Sequence, residues 1–491
     1  MSRDYIGYAR DIGYVAGAQA AVSLLQFARL PILTKWLGAS LYGIWSLIWV
    51  TIVLITPLAV MGLQAAFTRF LAVETDVDSI REGFLSMVFT VLAAGVFISI
   101  IIILFSDFFA SFILGDINKS HLVKLASLMI LTQALSQIGL TFFRTFRRMK
   151  WYSALTVAKT AAQVGLMACF LFLGWELKEV IIAVLISDIL CLAVAFSVVL
   201  RQIGFKFPRF TKLKSYLKYG LPLVPTSAMF WIIHSSDRYI IGYFMEAKDV
   251  GVYAAVYSLA NIIYLLLGPL QVVLLPTVSK SYDDGEISKT RTYLKYSLKY
   301  LMMLAIPSAF GLSILASPLL RILTTAEFIP GSVVIPFIAF GILFYGLYQV
   351  CMHILYLVEK IPWILLLLSI SAVLNIGLNL LLIPRMGILG ASMASLIAYA
   401  VLGIITTVIS LRYFKFDLSF PFIAKSVLAS VVMALIIWLL NPLGITKVII
   451  SIFLGAVIYS AIIFALKGFS KNELSLLKDL VSGFNMMRHD K

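Results

Sequence analysis

Two passages decide how this sequence folds: Arg29–Trp45, RLPILTKWLGASLYGIW, and Arg238–Tyr253, RYIIGYFMEAKDVGVY. Each runs from an arginine through apolar residues to a short polar joint. Each then reaches a glycine, in Gly43-Ile44-Trp45 and Gly251-Val252-Tyr253. At the same offset of about 210 residues, Lys150 stands opposite Lys360, and LGWELKEVIIAV (173–184) opposite IPRMGILGASMA (383–394). Such internal repetition is typical of transporters. Six spans in each half make both halves enter the membrane in the same sense, so the axis relating them runs along the membrane normal.

Composition extends this reading to the whole chain. Hydrophobic residues make up 62%, charged residues only 13%, and the mean hydropathy is +1.02, values no water-facing surface tolerates. Apolar runs long enough to cross hydrocarbon recur as about fourteen spans, from 12–34 and 43–67 to 421–440 and 446–467. The expected fold is an all-α integral membrane protein of two pseudo-symmetric six-helix lobes plus two C-terminal helices. The N-lobe takes 1–205 (spans one to six) and the C-lobe 206–415 (spans seven to twelve). Spans thirteen and fourteen take 416–467, and a cytoplasmic tail takes 468–491. The first span reads as a retained signal anchor. In the tail, Ser470 and Glu473 have capping-box spacing, and Leu474, Leu477, Leu480 and Val481 follow at helical intervals, predicting an amphipathic helix along the inner leaflet.

The formal net charge of +16 is a topology signal rather than a nucleic-acid one. Basic residues crowd the joints of one side, as in RTFRRMK at 144–150, RQIGFKFPRFTKLK at 201–214 and the cluster from Lys280 to Lys299. The positive-inside rule then puts both termini in the cytoplasm. Cys169, Cys191 and Cys351 lie inside apolar spans and the four histidines are scattered, so neither a disulfide framework nor a metal site is expected. No GxxxxGK[ST] loop and no GxSxG elbow occur. The chain is read as a non-enzyme without a cofactor or catalytic residues.

Polar residues inside spans gather at positions three and four apart. Gln26 shares a stripe of span one with Arg29 at its edge. Gln133, Gln137 and Arg144 line span four, and Lys159 stands in a polar stripe of span five. Tyr257 and Asn261 stack in span eight, Asn375 and Asn379 in span eleven. Amides, hydroxyls and aromatic rings in such stripes suit sugars, or else glue helices together. Charges weigh more, since an ionised group at mid-membrane costs at least about 2.5–3.5 kcal/mol. Arg29 and Lys159 either snorkel to headgroups or face a wet cavity. Two of them on polar faces favour the cavity. Asp188 is either an ion site or the partner of a base. Asp237 and Arg238 are gate or coupling candidates; as helix neighbours they are not expected to pair with each other. Prolines in GLPLVP (220–225) and LLGPLQVVLLP (266–276) are expected to interrupt spans seven and eight.

Three stretches together resemble the Wzx-type O-antigen and polysaccharide flippases, of the multidrug/oligosaccharidyl-lipid/polysaccharide exporter superfamily: 220–260, NLLLIPRMGILGASMASLIAYA at 379–400, and LPILTKWLGASLYGIW at 30–45. The likeness runs through nearly all the spans. It implies a central cavity between the lobes and alternating access. It also implies a polyprenyl-diphosphate-linked oligosaccharide carried from the inner to the outer leaflet of the cytoplasmic membrane, with spans thirteen and fourteen near the lipid tail. Related lipid II flippases carry a cavity arginine on the first span, the place of Arg29. The expected partners are therefore the lipid-linked oligosaccharide, membrane lipid and other glycan-assembly membrane proteins. Two rivals remain. A cation or drug exporter of the same superfamily wants acids in its cavity, where this chain offers more bases. A polysaccharide polymerase or ligase wants a large outer loop, and the outer joints here are short.

Overall fold

The computed structural model describes residues 3–265, 268–470 and 473, and the side chains of all of these except 3–12 and 268–273. Among them every long element is an α-helix: α1 Arg3–Val60, α2 Leu63–Leu71, α3 Val77–Leu104, α4 Ser106–Leu114, α5 Ser120–Thr145, α6 Met149–Phe172 and α7 Leu177–Ile203. Then come α8 Leu213–Gly220, α9 Val224–Phe244, α10 Ala247–Ala260, α11 Ile262–Leu265, α12 Gly268–Asp283 and α13 Ile287–Ile314. The chain continues with α14 Ala316–Leu323, α15 Ile335–Leu357, α16 Ile361–Met386, α17 Ile388–Tyr413, α18 Phe420–Leu440 and α19 Ile445–Ala465. Helix is the solution hydrocarbon demands, because it satisfies backbone polar groups within one segment. Among the described residues, 11 helices are long and apolar enough to cross a membrane by themselves. The first of these holds two spans, and the seventh and eighth spans lie in the shorter α9 and the broken run α10–α12. About fourteen spans fit this all-α, multi-pass membrane protein.

Three interruptions matter for the site. Helix α1 is two helices meeting at Gly38, whose φ of 68° and ψ of 179° are open to a residue without a Cβ. The second helix starts at Ala39, and its first N–H donates to Glu327 Oε2 at 2.9 Å, a cap supplied from far along the chain. Span eight breaks at Asn261, five residues before the proline-bearing stretch; Pro276 lies within α12. In span seven the break does fall on GLPLVP, where a 3-10 turn, Leu221–Leu223, separates α8 from α9.

Contacts group the chain into two compact units. The first comprises residues up to Leu259 with Leu323–Val334 and Leu365–Ala398. In it α1 packs on α6 and α5, while α5 packs on α3 and α7. Small residues let these helices close up, as where Gly95 faces Leu131. Phe67, Phe84, Phe142 and Phe146 meet edge to face beside them.

The second unit comprises Ala260–Ile322, Ile335–Ile364 and the chain from Tyr399. Helix α13 packs on α15 and α18, and α18 on α19, around Phe422, Met433, Ile437, Tyr459 and Ile463. Ser426 and Tyr459 share a hydrogen bond of 2.8 Å inside this core. The tail turns back onto it. Lys299 Nζ stands 2.7 Å from both Glu473 oxygens, between the rings of Phe422 and Phe469. The Ser470 and Glu473 side chains accept each other's backbone N–H at 3.3 and 2.7 Å, the expected capping box. The helix expected over Leu474–Val481 lies outside the described residues.

Candidate functional site

Span one brings Arg29 to a half-buried position, with its guanidinium 5.3 Å over the Trp49 ring. Tyr42 lies within electrostatic reach of both Arg29 and Arg238 and hydrogen-bonds Ser258. Helices α1, α9 and α10 thus bring two arginines to one tyrosine. The two cations differ in their compensation. Arg238 is buried; its Nη1 donates to His234 O at 2.8 Å and to Asp237 Oδ1 at 3.3 Å, and its guanidinium lies 4.5 Å over Tyr257. Arg29 forms no ion pair among the described residues.

The pairing of Asp237 with Arg238 corrects the sequence expectation that neighbours on a helix are not partners. That rule describes where Cβ atoms point. An arginine is long enough to fold back along its own helix, and the Arg238 backbone N–H also donates to Asp237 Oδ1, at 2.9 Å. Tyr253 OH adds a hydrogen bond to the same carboxylate. Both buried charges are therefore satisfied by protein groups, which is what buried ions require.

Asn375 and Asn379 extend this cluster on α16. Both are fully buried; Asn379 Nδ2 donates to Asn375 Oδ1 at 3.0 Å, and Ser236 Oγ to the same oxygen at 3.3 Å. In this conformation they tie α16 to α9. Asn375 Nδ2 and Asn379 Oδ1 make no hydrogen bond among the described residues.

A second polar centre joins α5, α6 and α7. Lys159 Nζ lies 2.9 Å from Asp188 Oδ1 and 3.3 Å from Gln133 Oε1. Gln163 Nε2 and Thr132 Oγ1 each donate to Asp188 at 3.1 Å. The carboxylate is fully buried and receives three donors, so the lysine charge is balanced inside the bundle.

The other candidates are dispersed. Gln26 and Arg144 are exposed, Arg144 in the last turn of α5, and Asn261 sits at the break after α10. Gln137 accepts from Gln64 Nε2, and both line a cavity of about 200 Å³ with Gly62 and Ser227. Reading the sequence missed Gln64, Trp49, Tyr42 and Glu327. The first three sat in stripes too apolar to stand out, and Glu327 lay in a joint with no periodicity.

The repeat supplies a further element of the site. A Cβ on Gly43 would stand 1.8 Å from Ala247 O, and one on Gly251 would stand 1.9 Å from Ala39 O. Helix α10 and the second half of α1 therefore meet backbone to backbone through Ala39/Gly43 and Ala247/Gly251. These are the corresponding positions of the two sequence repeats, each using the other's carbonyl in the same way.

Comparison with known proteins agrees with this architecture. The model of a family described as "Polysaccharide biosynthesis protein" matches residues 8–282, and the "MatE" model matches 222–381. A "Probable low-salt glycan biosynthesis flippase Agl15" of Haloferax volcanii is 24% identical over 450 residues, covering 89% of this chain and 92% of that protein. A "Probable lipid II flippase MurJ" of Rhizobium tropici is 29% identical over 160 residues, 31% of this chain and 28% of that protein. Among solved structures, "Lipid II flippase MurJ, inward closed conformation" superposes with a TM-score of 0.76 at 19% identity, covering 91% of this chain and 96% of that one. An inward-facing multidrug resistance MATE family transporter of the MOP superfamily gives 0.66 at 15% identity, covering 80% and 94%.

Proposed function

Because the chain belongs to the polysaccharide biosynthesis protein family, we propose that it is a flippase for polyprenyl-diphosphate-linked oligosaccharide, such as an O-antigen, capsule or exopolysaccharide repeat unit. Movement runs from the inner to the outer leaflet of the cytoplasmic membrane by alternating access of a 1–205 lobe and a 206–415 lobe. Both termini are cytoplasmic, and spans thirteen and fourteen lie near the lipid tail. The physical problem is the headgroup. A diphosphate bearing sugars does not cross hydrocarbon unaided, because stripping an ion of its hydration costs tens of kcal/mol in the idealised limit.

The observation that carries this reading is the state of Arg29. Arg238 and Lys159 are neutralised by Asp237 and Asp188, whereas among the described residues Arg29 has only the face of Trp49 and the neighbouring Tyr42. A guanidinium held by an aromatic face keeps its donors free for bidentate contact with phosphate oxygens. The exposed Gln26, one turn earlier, supplies an amide for sugar hydroxyls.

The test is leaflet exchange of a labelled polyprenyl-diphosphate oligosaccharide in vesicles reconstituted with the full chain. Losing charge-assisted hydrogen bonds worth about 1.5–3 kcal/mol lowers exchange by Arg29→Ala roughly 10- to 150-fold, with the melting temperature retained. Undiminished exchange removes Arg29 from the mechanism.

A further inference from the structure

The joint between α7 and α8 is not a free loop. Glu82, in the second turn of α3, accepts the Arg209 backbone N–H through both carboxylate oxygens at 2.9 Å and that of Thr211 at 3.4 Å. Arg81 Nη1 donates to Ile203 O at 3.2 Å, and Lys212 pairs with Glu74 at 2.8 Å. Phe207 reaches further along α3, its ring centroid 5.1 Å from that of Phe89. Phe89 lies five residues into the apolar run that begins at Phe84 and continues through the exposed Val96, Phe97, Ile100 and Ile103. The joint is thereby fixed where polar helix turns give way to hydrocarbon-facing ones.

The strapping borders an open cleft of about 280 Å³ lined by Arg81, Lys206, Arg209 and Lys212 against the carboxylates of Asp78 and Glu82. Four cations face two anions, and Glu82 is already spent on backbone N–H groups. Lys206 and Arg209 form no ion pair among the described residues. Arg81 pairs with Asp78, whose side chain is 74% exposed, and such exposed pairs are worth little and exchange readily. Beside these cations, Phe205 and Phe207 are 65% and 64% exposed. Exposed rings next to unpaired cations at this depth match an amphiphile, with a phosphate at the charges and an acyl chain along the rings.

We propose that this cleft is a binding site for the phosphodiester headgroup of an anionic membrane lipid, built from Lys206, Arg209 and Arg81 and held open by the Glu82 strap. The site is separate from the Arg29 cluster and takes a resident lipid rather than the cargo. Occupancy pins the joint to the α3 end while the lipid is bound.

Native mass spectrometry of the full purified chain, with phosphatidylglycerol or phosphatidylcholine added, tests this without any glycan substrate, so its result is independent of the flippase reading. The wild type retains phosphatidylglycerol at least about tenfold more tightly than phosphatidylcholine. Lys206→Ala/Arg209→Ala abolishes that preference, and the charge-keeping Lys206→Arg/Arg209→Lys retains it. Lys206 and Arg209 are both exposed, so both double variants leave the fold intact, which melting temperatures check. An unchanged preference in the alanine variant overturns the proposal. So does displacement of the lipid by millimolar inorganic phosphate, which identifies a site for a soluble anion.

Discussion

Introducing one methyl group into the glycine contact between α1 and α10 tests whether that contact is a gate. In Gly43→Ala the new Cβ would stand 1.8 Å from Ala247 O, 2.8 Å from its carbonyl carbon and 2.9 Å from Gly251 N. All three are backbone atoms, so no rotamer change relieves the clash. Non-bonded heavy atoms settle about 3.5 Å apart, so the two helices must separate by about 1.7 Å. Overpacking of this kind costs about 1–3 kcal/mol. Under the proposed topology the contact closes the outer side of the site, and an open conformer escapes that cost. The ratio of open to closed molecules then rises about 5- to 150-fold.

Val250 is fully buried beside this contact, and a Val250→Cys reporter, with Cys169, Cys191 and Cys351 removed, reads the opening by its rate of reaction with a membrane-impermeant thiol reagent. Gly43→Ala accelerates labelling by that factor while the protein remains folded. Gly251→Ala, whose Cβ would stand 1.9 Å from Ala39 O, does the same. The double variant gains less than the product of the two, because helices already parted accommodate the second methyl cheaply. Labelling no faster than the parent, or a fully multiplicative double variant, refutes the reasoning.

Two further expectations concern buried charge. Lys159→Met leaves the Asp188 carboxylate without its ion partner and costs about 3–5 kcal/mol; the double variant Lys159→Met/Asp188→Leu recovers most of the melting temperature, and a double variant as unstable as the single one contradicts the pairing. The Glu473 carboxyl is pushed up by burial but pulled further down by Lys299 and the Ser470 N–H, ending below the ordinary glutamate range. A folded value below the unfolded one stabilises fully above the unfolded glutamate pKa of about 4.3 and loses that stabilisation as pH falls through the folded value. Melting temperatures followed downward from neutral pH therefore show an acid-side loss that Glu473→Gln lacks; identical acid limbs in the two proteins rule the contact out as a contributor.

Hydropathy made most of the fold readable, because spanning helices must be apolar over a fixed length: α16, α17, α18 and α19 begin and end within a few residues of the expected spans. Hinges were less legible. Gly38 carries no mark distinguishing it from other glycines, and the break at Asn261 precedes the prolines that ought to have caused it. Among site residues, type and depth were visible but partners were not. Lys159 and Asp188 are 29 positions apart on separate helices, and nothing in a one-dimensional pattern says which faces meet. In the sequence the two glycines mark only the repetition, because their mutual contact depends on how the two repeats pack and not on either repeat alone.

The main-chain approach of Ala39/Gly43 to Ala247/Gly251 involves no side chain able to recognise a sugar. On the proposed flippase reading this contact is a door, and a door whose fastening lies in the polypeptide's own spine fits equally well whatever passes through it. The residues that select cargo are then free to diversify from one glycan to the next without re-engineering the closure.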